Sequence, residues 1–197
     1  MGKIFCIMGK SSSGKDTIFK LLIEENIQEL KEVISYTTRP IRTNETNGVE
    51  YYFINKEELD TWTSKGKIIE TRCYNTAHGK WYYSTIDDGQ IDLNSNRNYL
   101  IISTLESFTG IRDYYGKENV LPIYIDIDDG LRLQRALDRE REQSEPKYEE
   151  MCRRFIADSA DFSEENLKSA GVSRKFKNYN LDDVLDEIKE FISSKTE

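Results

Sequence analysis

The sequence predicts an α/β fold in which helices cover a mostly parallel sheet. Three observations point there. A short apolar run, Ile4-Phe5-Cys6-Ile7-Met8, is followed at once by a turn rich in Gly and Ser. Two more apolar runs occupy 99–103 and 121–127. Segments of helical periodicity lie between and after these runs, and strands alternating with helices imply a parallel sheet with helical covers.

The run over 3–8 reads as a buried strand, being short, apolar and partly β-branched. Residues 16–31 place Ile18, Leu21, Leu22 and Leu30 close to helical spacing, which predicts a helix there. The stretch 35–86 breaks the rhythm. It is rich in Thr, Tyr and Asn, carries turn signals at Thr46-Asn47-Gly48 and His78-Gly79, and reads as an inserted β-rich lobe. Segments 99–103 and 121–127 read as strands, and 131–142 and 147–158 as charged helices. Residues 132–154 hold the basic side chains Arg132, Arg135, Arg139, Arg141, Lys147, Arg153 and Arg154 among six acids. Surface ion pairs at i, i+4 spacing account for about half of these charges. Near the C-terminus, Leu181, Val184, Leu185, Ile188, Phe191 and Ile192 form the stripe of an amphipathic helix, with Asn180 as its N-cap.

The 197 residues fit one domain, at about 150 residues per domain. The 48 Ile, Leu, Val and Phe residues are enough for a sizeable core. With 28 basic and 36 acidic side chains the formal charge is −8, which argues against an extended nucleic acid as partner. The longest apolar run, five residues, is far below the ~20 that span a bilayer, so no membrane partner is expected. No signal-peptide pattern opens the chain. Cys6, Cys73 and Cys152 form no C-x-x-C pair and read as free thiols of a reducing compartment, the cytoplasm. His78 is the only histidine, so a catalytic triad or multi-histidine metal centre lacks material.

Directly after the first strand comes Gly9-Lys10-Ser11-Ser12-Ser13-Gly14-Lys15-Asp16-Thr17, with the G-x-x-x-x-G-K spacing of a phosphate-binding loop. Glycines let the backbone approach phosphates, and successive N–H groups and the next helix's N-terminus supply positive potential. Lys15 would reach the β- and γ-phosphates. Asp16 stands where a Ser or Thr usually ligates Mg²⁺. It either joins the metal shell itself, the preferred reading, or acts as a carboxylate at a helix N-terminus.

The chain resembles the guanylate kinase family over roughly residues 3–193. The phosphate loop, Ser35-Tyr36-Thr37-Thr38-Arg39-Pro40-Ile41-Arg42, Asn47-Gly48-Val49-Glu50-Tyr51-Tyr52-Phe53, Glu70 and Trp81-Tyr82-Tyr83-Ser84-Thr85 carry the resemblance. It implies a three-layer P-loop kinase fold with a parallel core sheet, a β-rich monophosphate-binding lobe and a helical lid. The implied boundaries are core 1–34, 87–129 and 160–197, lobe 35–86 and lid 130–159. It implies that Arg39, Arg42, Tyr51 and Tyr82 hold the acceptor phosphate, as guanidinium forks and tyrosine hydroxyls are suited to do. Glu70, Ser35 and Ser84 are implied as readers of guanine, and Asn178 as a residue near the adenine of ATP. Lys15, Arg39, Arg135, Arg139 and Arg154 are the implied catalytic set.

Two departures from the family bear on base specificity. Leu100-Ile101-Ile102-Ser103-Thr104 stands where the family carries an acidic pair, leaving Thr104 or Glu106 as substitutes. The loop between Glu70 and Tyr82 is about three residues longer than usual, and Tyr83 replaces a glycine. The expected reaction is phosphoryl transfer from ATP, with Mg²⁺, to GMP or dGMP. The alternatives are a kinase of the same fold acting on another small phosphate ester, or a non-catalytic interaction module. No oligomeric state is read from the sequence.

Overall fold

The computed structural model describes residues 1–76 and 79–196, so His78 lies outside the described residues. In chain order the elements are β1 (Ile4–Met8), α1 (Lys15–Glu24), β2 (Lys31–Glu32), β3 (Tyr36–Thr37), β4 (Tyr52–Phe53), α2 (Lys56–Ser64), β5 (Ile68–Thr76), β6 (Gly79–Ile86), β7 (Tyr99–Ile102), α3 (Leu105–Tyr115), β8 (Val120–Asp126), α4 (Asp129–Arg141), α5 (Tyr148–Asp161), α6 (Glu164–Ser169), β9 (Lys175–Lys177) and α7 (Leu181–Thr196).

The first sheet has the order β2-β7-β1-β8-β9, and its pairings are parallel. Strand β1 is buried along its whole length, as expected of a strand covered on both faces. Alternation sends Ile4, Cys6 and Met8 to one face, against Leu105, Phe108 and Ile111 of α3. It sends Phe5 and Ile7 to the other, against Ile18 and Leu22 of α1 and Val184, Ile188 and Ile192 of α7. This is the α/β architecture with a parallel central sheet that the sequence predicts. Burial pushes the Cys6 thiol up to about 12, against an opposing hydrogen bond with Ser103, so this cysteine is an inert core residue. Strand β8 contains Pro122, yet β9 pairs only with Tyr124–Asp126, so the proline sits where the strand has one neighbour.

Asn180 caps α7 as expected, its Oδ1 accepting from the backbone N–H of Asp182 at 2.9 Å. The helix expected over 16–31 instead ends at Glu24. Asn26, Gln28 and Glu29 take φ of 49°, 48° and 55°, which no right-handed helix accommodates. Leu30 reaches the core from the turn that follows, not from a helix face.

The second sheet, β4-β3-β6-β5, is mixed: β3 and β4 are parallel, while β6 is antiparallel to β3 and β5. Helix α2 covers one face, packing Leu59 and Trp62 near Tyr36, Tyr52, Tyr82 and Ile86. A capping box fixes its start, since Asn55 Oδ1 accepts from Glu58 N and Glu58 Oε2 from Asn55 N, both at 2.8 Å. The opposite face of this sheet meets α3 at Glu70 and forms part of the site described next. No helix among the described residues is long and apolar enough to cross a membrane.

Candidate active site

Strand β1 delivers the chain into the loop Gly9–Gly14, and α1 begins at Lys15. The loop closes on itself through Ser13 N donating to Lys10 O at 3.1 Å. Ser12 and Gly14 are left-handed, with φ of 64° and 89°. Such alternation turns successive N–H groups toward one concavity, which suits an anion. Gly14 is required twice over: by its φ, and because a Cβ there would collide with the Nδ2 of Asn178. That amide nitrogen is buried and donates to Ser13 O at 2.7 Å, so Asn178 braces the loop from the far side of the sheet.

A cleft of ≈ 410 Å³ opens over the loop, lined by Ser12, Gly14, Asp16, Thr17, Arg135, Arg139 and Asn178, with Tyr179 and Leu181 at its apolar end. Of the residues expected at the ATP side, the cleft lining holds Ser12, Gly14, Asp16, Thr17 and Asn178 together with Arg135 and Arg139, and it does not include Gly9, Lys10, Ser11, Ser13 or Lys15. Arg139 Nη2 donates to Ser12 Oγ at 3.1 Å, placing α4 directly over the loop. Lys15 Nζ rests 3.2 Å from the Asp16 carboxylate. Arg154 is the exception. It lies on the outer part of α5, 48% exposed, and pairs with Glu150 at 3.5 Å.

Sequence reasoning treated the charges of 132–154 as candidate lid arginines and surface pairs, and so missed Arg132 and Asp158. Arg132 is buried. Its Nε donates to Asp129 at 3.0 Å, its Nη1 to Asp158 at 3.3 Å, and its guanidinium stacks 3.9 Å above the Phe155 ring. Asp158 in turn accepts from Ser11 N at 2.7 Å, and Asp129 pairs with Lys10 at 3.2 Å. Burial raises the Asp129 carboxyl, but Lys10 and Arg132 together hold it below the ordinary carboxylate range. Helices α4 and α5 are therefore tied to the phosphate loop by an ion network. Within it, Ser13 Oγ and Arg132 Nη2 are buried without a hydrogen-bond partner among the described residues.

The second sheet supplies the other half of the site. Arg39 is 4% exposed and forms a fork with Glu45, Nη1 and Nη2 each donating to one carboxylate oxygen at 2.6 Å. The Tyr51 and Phe53 rings flank the guanidinium, each with its centroid at 5.2 Å. The hydrogen bonds from Arg39, against the cost of burial, hold the Glu45 carboxyl below the usual range, and the same bonds raise Arg39. Glu45 is a further residue that the motif reading missed. Arg42 is exposed beside it, joined by its backbone N–H to Glu45 at 2.9 Å.

Strand register decides which side chains share this face. Glu70 faces Thr85, Arg72 faces Tyr83 and Thr71 faces Ser84. Side chains alternate between faces, so Glu70, Arg72, Tyr83 and Thr85 lie together, while Tyr82 and Ser84 lie on the α2 side. Contacts agree. Tyr83 packs edge-on to Tyr51 at 5.7 Å and to Tyr74 at 5.6 Å. Tyr82 joins the α2 cluster and lies under Lys56, and Ser84 Oγ pairs with Thr71 Oγ1 at 2.8 Å. The site face therefore carries Tyr83 and Thr85 where the sequence motif suggested Tyr82 and Ser84. The one-residue difference follows from the register of the β5–β6 pair. Ser35, one residue before β3 and two before Thr37, falls on the Thr37 side of the alternation and is buried.

Further along this face, donors crowd one oxygen of the Glu70 carboxylate: Thr85, Ser107 and Arg72 Nη2 reach Oε1, and Arg72 Nε alone reaches Oε2. Thr85 Oγ1 donates at 2.7 Å, Ser107 Oγ at 2.9 Å and Arg72 Nε at 3.1 Å, with Arg72 Nη2 at 3.5 Å. Arg72 Nη1 reaches Thr104 Oγ1 at 3.1 Å, and that oxygen also caps α3 by accepting from Ser107 N. Helix α3 can approach because residue 110 is glycine; a Cβ there would stand 2.6 Å from the Cβ of Glu70. The second sheet is joined to the first at the carboxyl end of β7, where Arg72 Nη1 meets Thr104 Oγ1 at 3.1 Å and Ser107 Oγ meets Glu70 at 2.9 Å. Burial, followed by Tyr83, raises the Tyr51 hydroxyl.

No group of three or more His, Cys, Asp or Glu side chains able to hold a metal occurs among the described residues. Asp16 is the one carboxylate in the cleft lining, and it is 66% exposed. A single exposed carboxylate suits a magnesium ion that arrives with a triphosphate, because the phosphates and water then supply the other oxygens. It does not suit a resident ion.

A family model described as guanylate kinase matches residues 1–195. The guanylate kinase of Mycoplasma genitalium is 27% identical over 195 residues, covering 98% of this chain and 76% of that protein. The guanylate kinase of Mycoplasma mobile is 35% identical over 128 residues, 64% of this chain and 61% of that protein. Among solved structures, the guanylate kinase from Anaplasma phagocytophilum aligns with a TM-score of 0.67 at 20% identity, covering 99% of this chain and 86% of that one; this likeness concerns the fold.

Proposed function

The chain belongs to the guanylate kinase family, ATP-dependent phosphotransferases, and we propose that it converts ATP and GMP to ADP and GDP across the cleft between the phosphate loop and the second sheet. The observation that carries this reading is the convergence of two anion sites. The Gly9–Thr17 loop with Arg135 and Arg139 forms one, and Arg39 with Tyr51 forms the other, on the sheet that Arg72 and Glu70 tie to Thr104 and Ser107 at the carboxyl end of β7.

In this reading the acceptor phosphate is already an anionic nucleophile, so positioning and charge neutralisation do the catalytic work and no strong base is needed. The loop amides and Lys15 bind the β- and γ-phosphates. Asp16 holds or water-bridges the magnesium ion that comes with ATP, and Lys15 then exchanges its present carboxylate partner for phosphate. Asn178 stands at the nucleoside end of the cleft. Arg39 exchanges Glu45 for the acceptor phosphate, with Arg42 and Tyr51 beside it and Tyr83 in the place first given to Tyr82. Glu70, Thr104, Thr85 and Ser35 surround the base. Arg135 and Arg139 neutralise the transferring group, and Arg154 joins them when segment 130–159 closes over the lobe 35–86. Closure excludes water, which would otherwise accept the phosphoryl group. The substrates and the free thiols support a cytoplasmic location.

The test is ADP release from MgATP with a panel of nucleoside monophosphates. GMP and dGMP turn over best, and Lys15→Ala reduces turnover by at least about 10²-fold. Absence of turnover with every monophosphate sinks the reading.

A further inference from the structure

Helices α4 and α5 grip the phosphate loop at one residue, Ser11. Its N–H donates to Asp158 Oδ2 of α5 at 2.7 Å, and its carbonyl accepts from Arg132 Nη1 of α4 at 3.4 Å. The same Nη1 reaches Asp158 Oδ2 at 3.3 Å, so one guanidinium and one carboxylate bracket Ser11 on both sides. Ser11 and Ser12 are the central residues of a turn closed by Ser13 N donating to Lys10 O. Ser12 takes φ of 64°, and a positive φ at the third residue of such a turn usually belongs to glycine. The turn therefore stands in a conformation that its own residues disfavour. Arg132 is 1% exposed and Asp158 18%. Taking both charges out of water is costly, and apolar side chains would join α4 to α5 at less cost. What this pair supplies, and an apolar pair cannot, is a donor and an acceptor aimed at the Ser11 backbone.

We propose that Arg132 and Asp158 are positioning residues for ATP, a step that rests on reading the loop as the ATP site. They hold Ser12 left-handed, the conformation that turns the loop's N–H groups into one concavity. Neither side chain belongs to the cleft lining, so both act through the backbone of Ser11 and not on the nucleotide. The phosphate cradle is thus preset by the docking of α4 and α5. The network is also balanced in charge. Asp129 accepts from Arg132 Nε and pairs with Lys10, so removing Arg132 and Asp158 together leaves an intact ion pair behind. Removing either one alone strands its partner's charge.

The experiment measures melting temperature and, by calorimetry well below it, the Kd for MgATP in the wild type and three variants. Asp158→Ala removes the acceptor and the charge. Its melting temperature falls by more than about 4 °C. If the competent turn drops to about a tenth of the molecules, its Kd for MgATP rises about tenfold, with KM for GMP within about twofold. Asp158→Asn loses the charge and a similar amount of stability, but its amide oxygen still accepts from Ser11, so the Kd stays within about threefold of wild type. In Arg132→Met/Asp158→Ala no charge is stranded and the Met side chain still covers Phe155. Its melting temperature returns to within about 4 °C of wild type, while the Kd stays raised. The two single variants decide the matter where the double variant does not fold. An Asp158→Ala protein that binds MgATP as the wild type does overturns the proposal, as does a Kd that recovers with stability in the double variant. So does tighter binding in either, because Asp158 then occupies an N–H that phosphate needs. A wild type that binds no MgATP sinks the ATP-site reading instead.

Discussion

Arg39 and Glu45 show how one side chain can be held ready for a ligand it does not yet touch. A buried guanidinium without a counter-charge is costly, and Glu45 meets that need with two bonds of 2.6 Å. In the proposed reaction the acceptor phosphate also offers a pair of oxygens to the guanidinium fork, so exchange would replace one anion by another. Glu45→Gln removes the charge and leaves Arg39 buried beside a neutral amide, which should cost about 3 kcal/mol at neutral pH. The Glu45 carboxyl lies below its ordinary value in the fold. Its stabilisation is therefore present above the unfolded carboxylate pKa of about 4.3 and is lost as pH falls through the lower folded value. Melting temperatures of wild type and Glu45→Gln, taken from pH 7 down to pH 3, should differ most at pH 7 and converge below about pH 4. A constant gap across that range contradicts the coupling. On the proposed reading GMP binds the folded enzyme at Arg39, and it should then raise the melting temperature of both proteins.

At the scale of elements, the β5–β6 hairpin marks where the sequence ran out. Periodicity made β1, β7, β8 and α7 legible, because each buries a full face or stripe whose composition records it. The phosphate loop was legible because its glycines are demanded by backbone geometry at fixed spacing. The acceptor sheet has strands β3 and β4 of two residues each, too short to leave a pattern. Its motif residues are known by order along the chain, whereas their facing depends on register, and one residue of slip exchanges Tyr82 for Tyr83 and Ser84 for Thr85. Two substitutions separate the assignments. Tyr83→Ala should raise KM for GMP about tenfold or more with little loss of stability. Tyr82→Ala should lower stability by about 2 kcal/mol through the α2 cluster and leave KM for GMP within about twofold. The reverse pattern restores the motif assignment. At the other end of the site, Gly14→Ala should both strain a left-handed residue, at about 1–2 kcal/mol, and push Asn178 from Ser13. KM for ATP should then rise more than KM for GMP, since Gly14 and Asn178 line the cleft over the phosphate loop.

For the whole molecule, the net charge of −8 describes the shell and not the cleft. Arg135 and Arg139 line the cleft, and Lys15, Arg39 and Arg139 are each paired with a protein group that a phosphate can replace. Arg154 is instead half exposed and paired with Glu150, which gives the proposed closure a residue-level readout. The network Arg132–Asp158–Ser11 ties α4 and α5 to the loop. Motion of the segment around it thus carries Arg154 without dismantling the phosphate cradle. A bisubstrate mimic that joins ATP to GMP should bring both halves together and reduce the radius of gyration seen by solution X-ray scattering, whereas ATP alone should compact the molecule less. Arg154→Met should lower kcat by about 10²-fold, with KM for both substrates within a few-fold, because the arginine contributes in the closed state and not in this one. The mimic should still compact this variant, since the ties that move the segment are intact. If Arg154→Met instead raises KM and leaves kcat unchanged, the arginine acts in ground-state binding and its outward position here is not the one that precedes transfer.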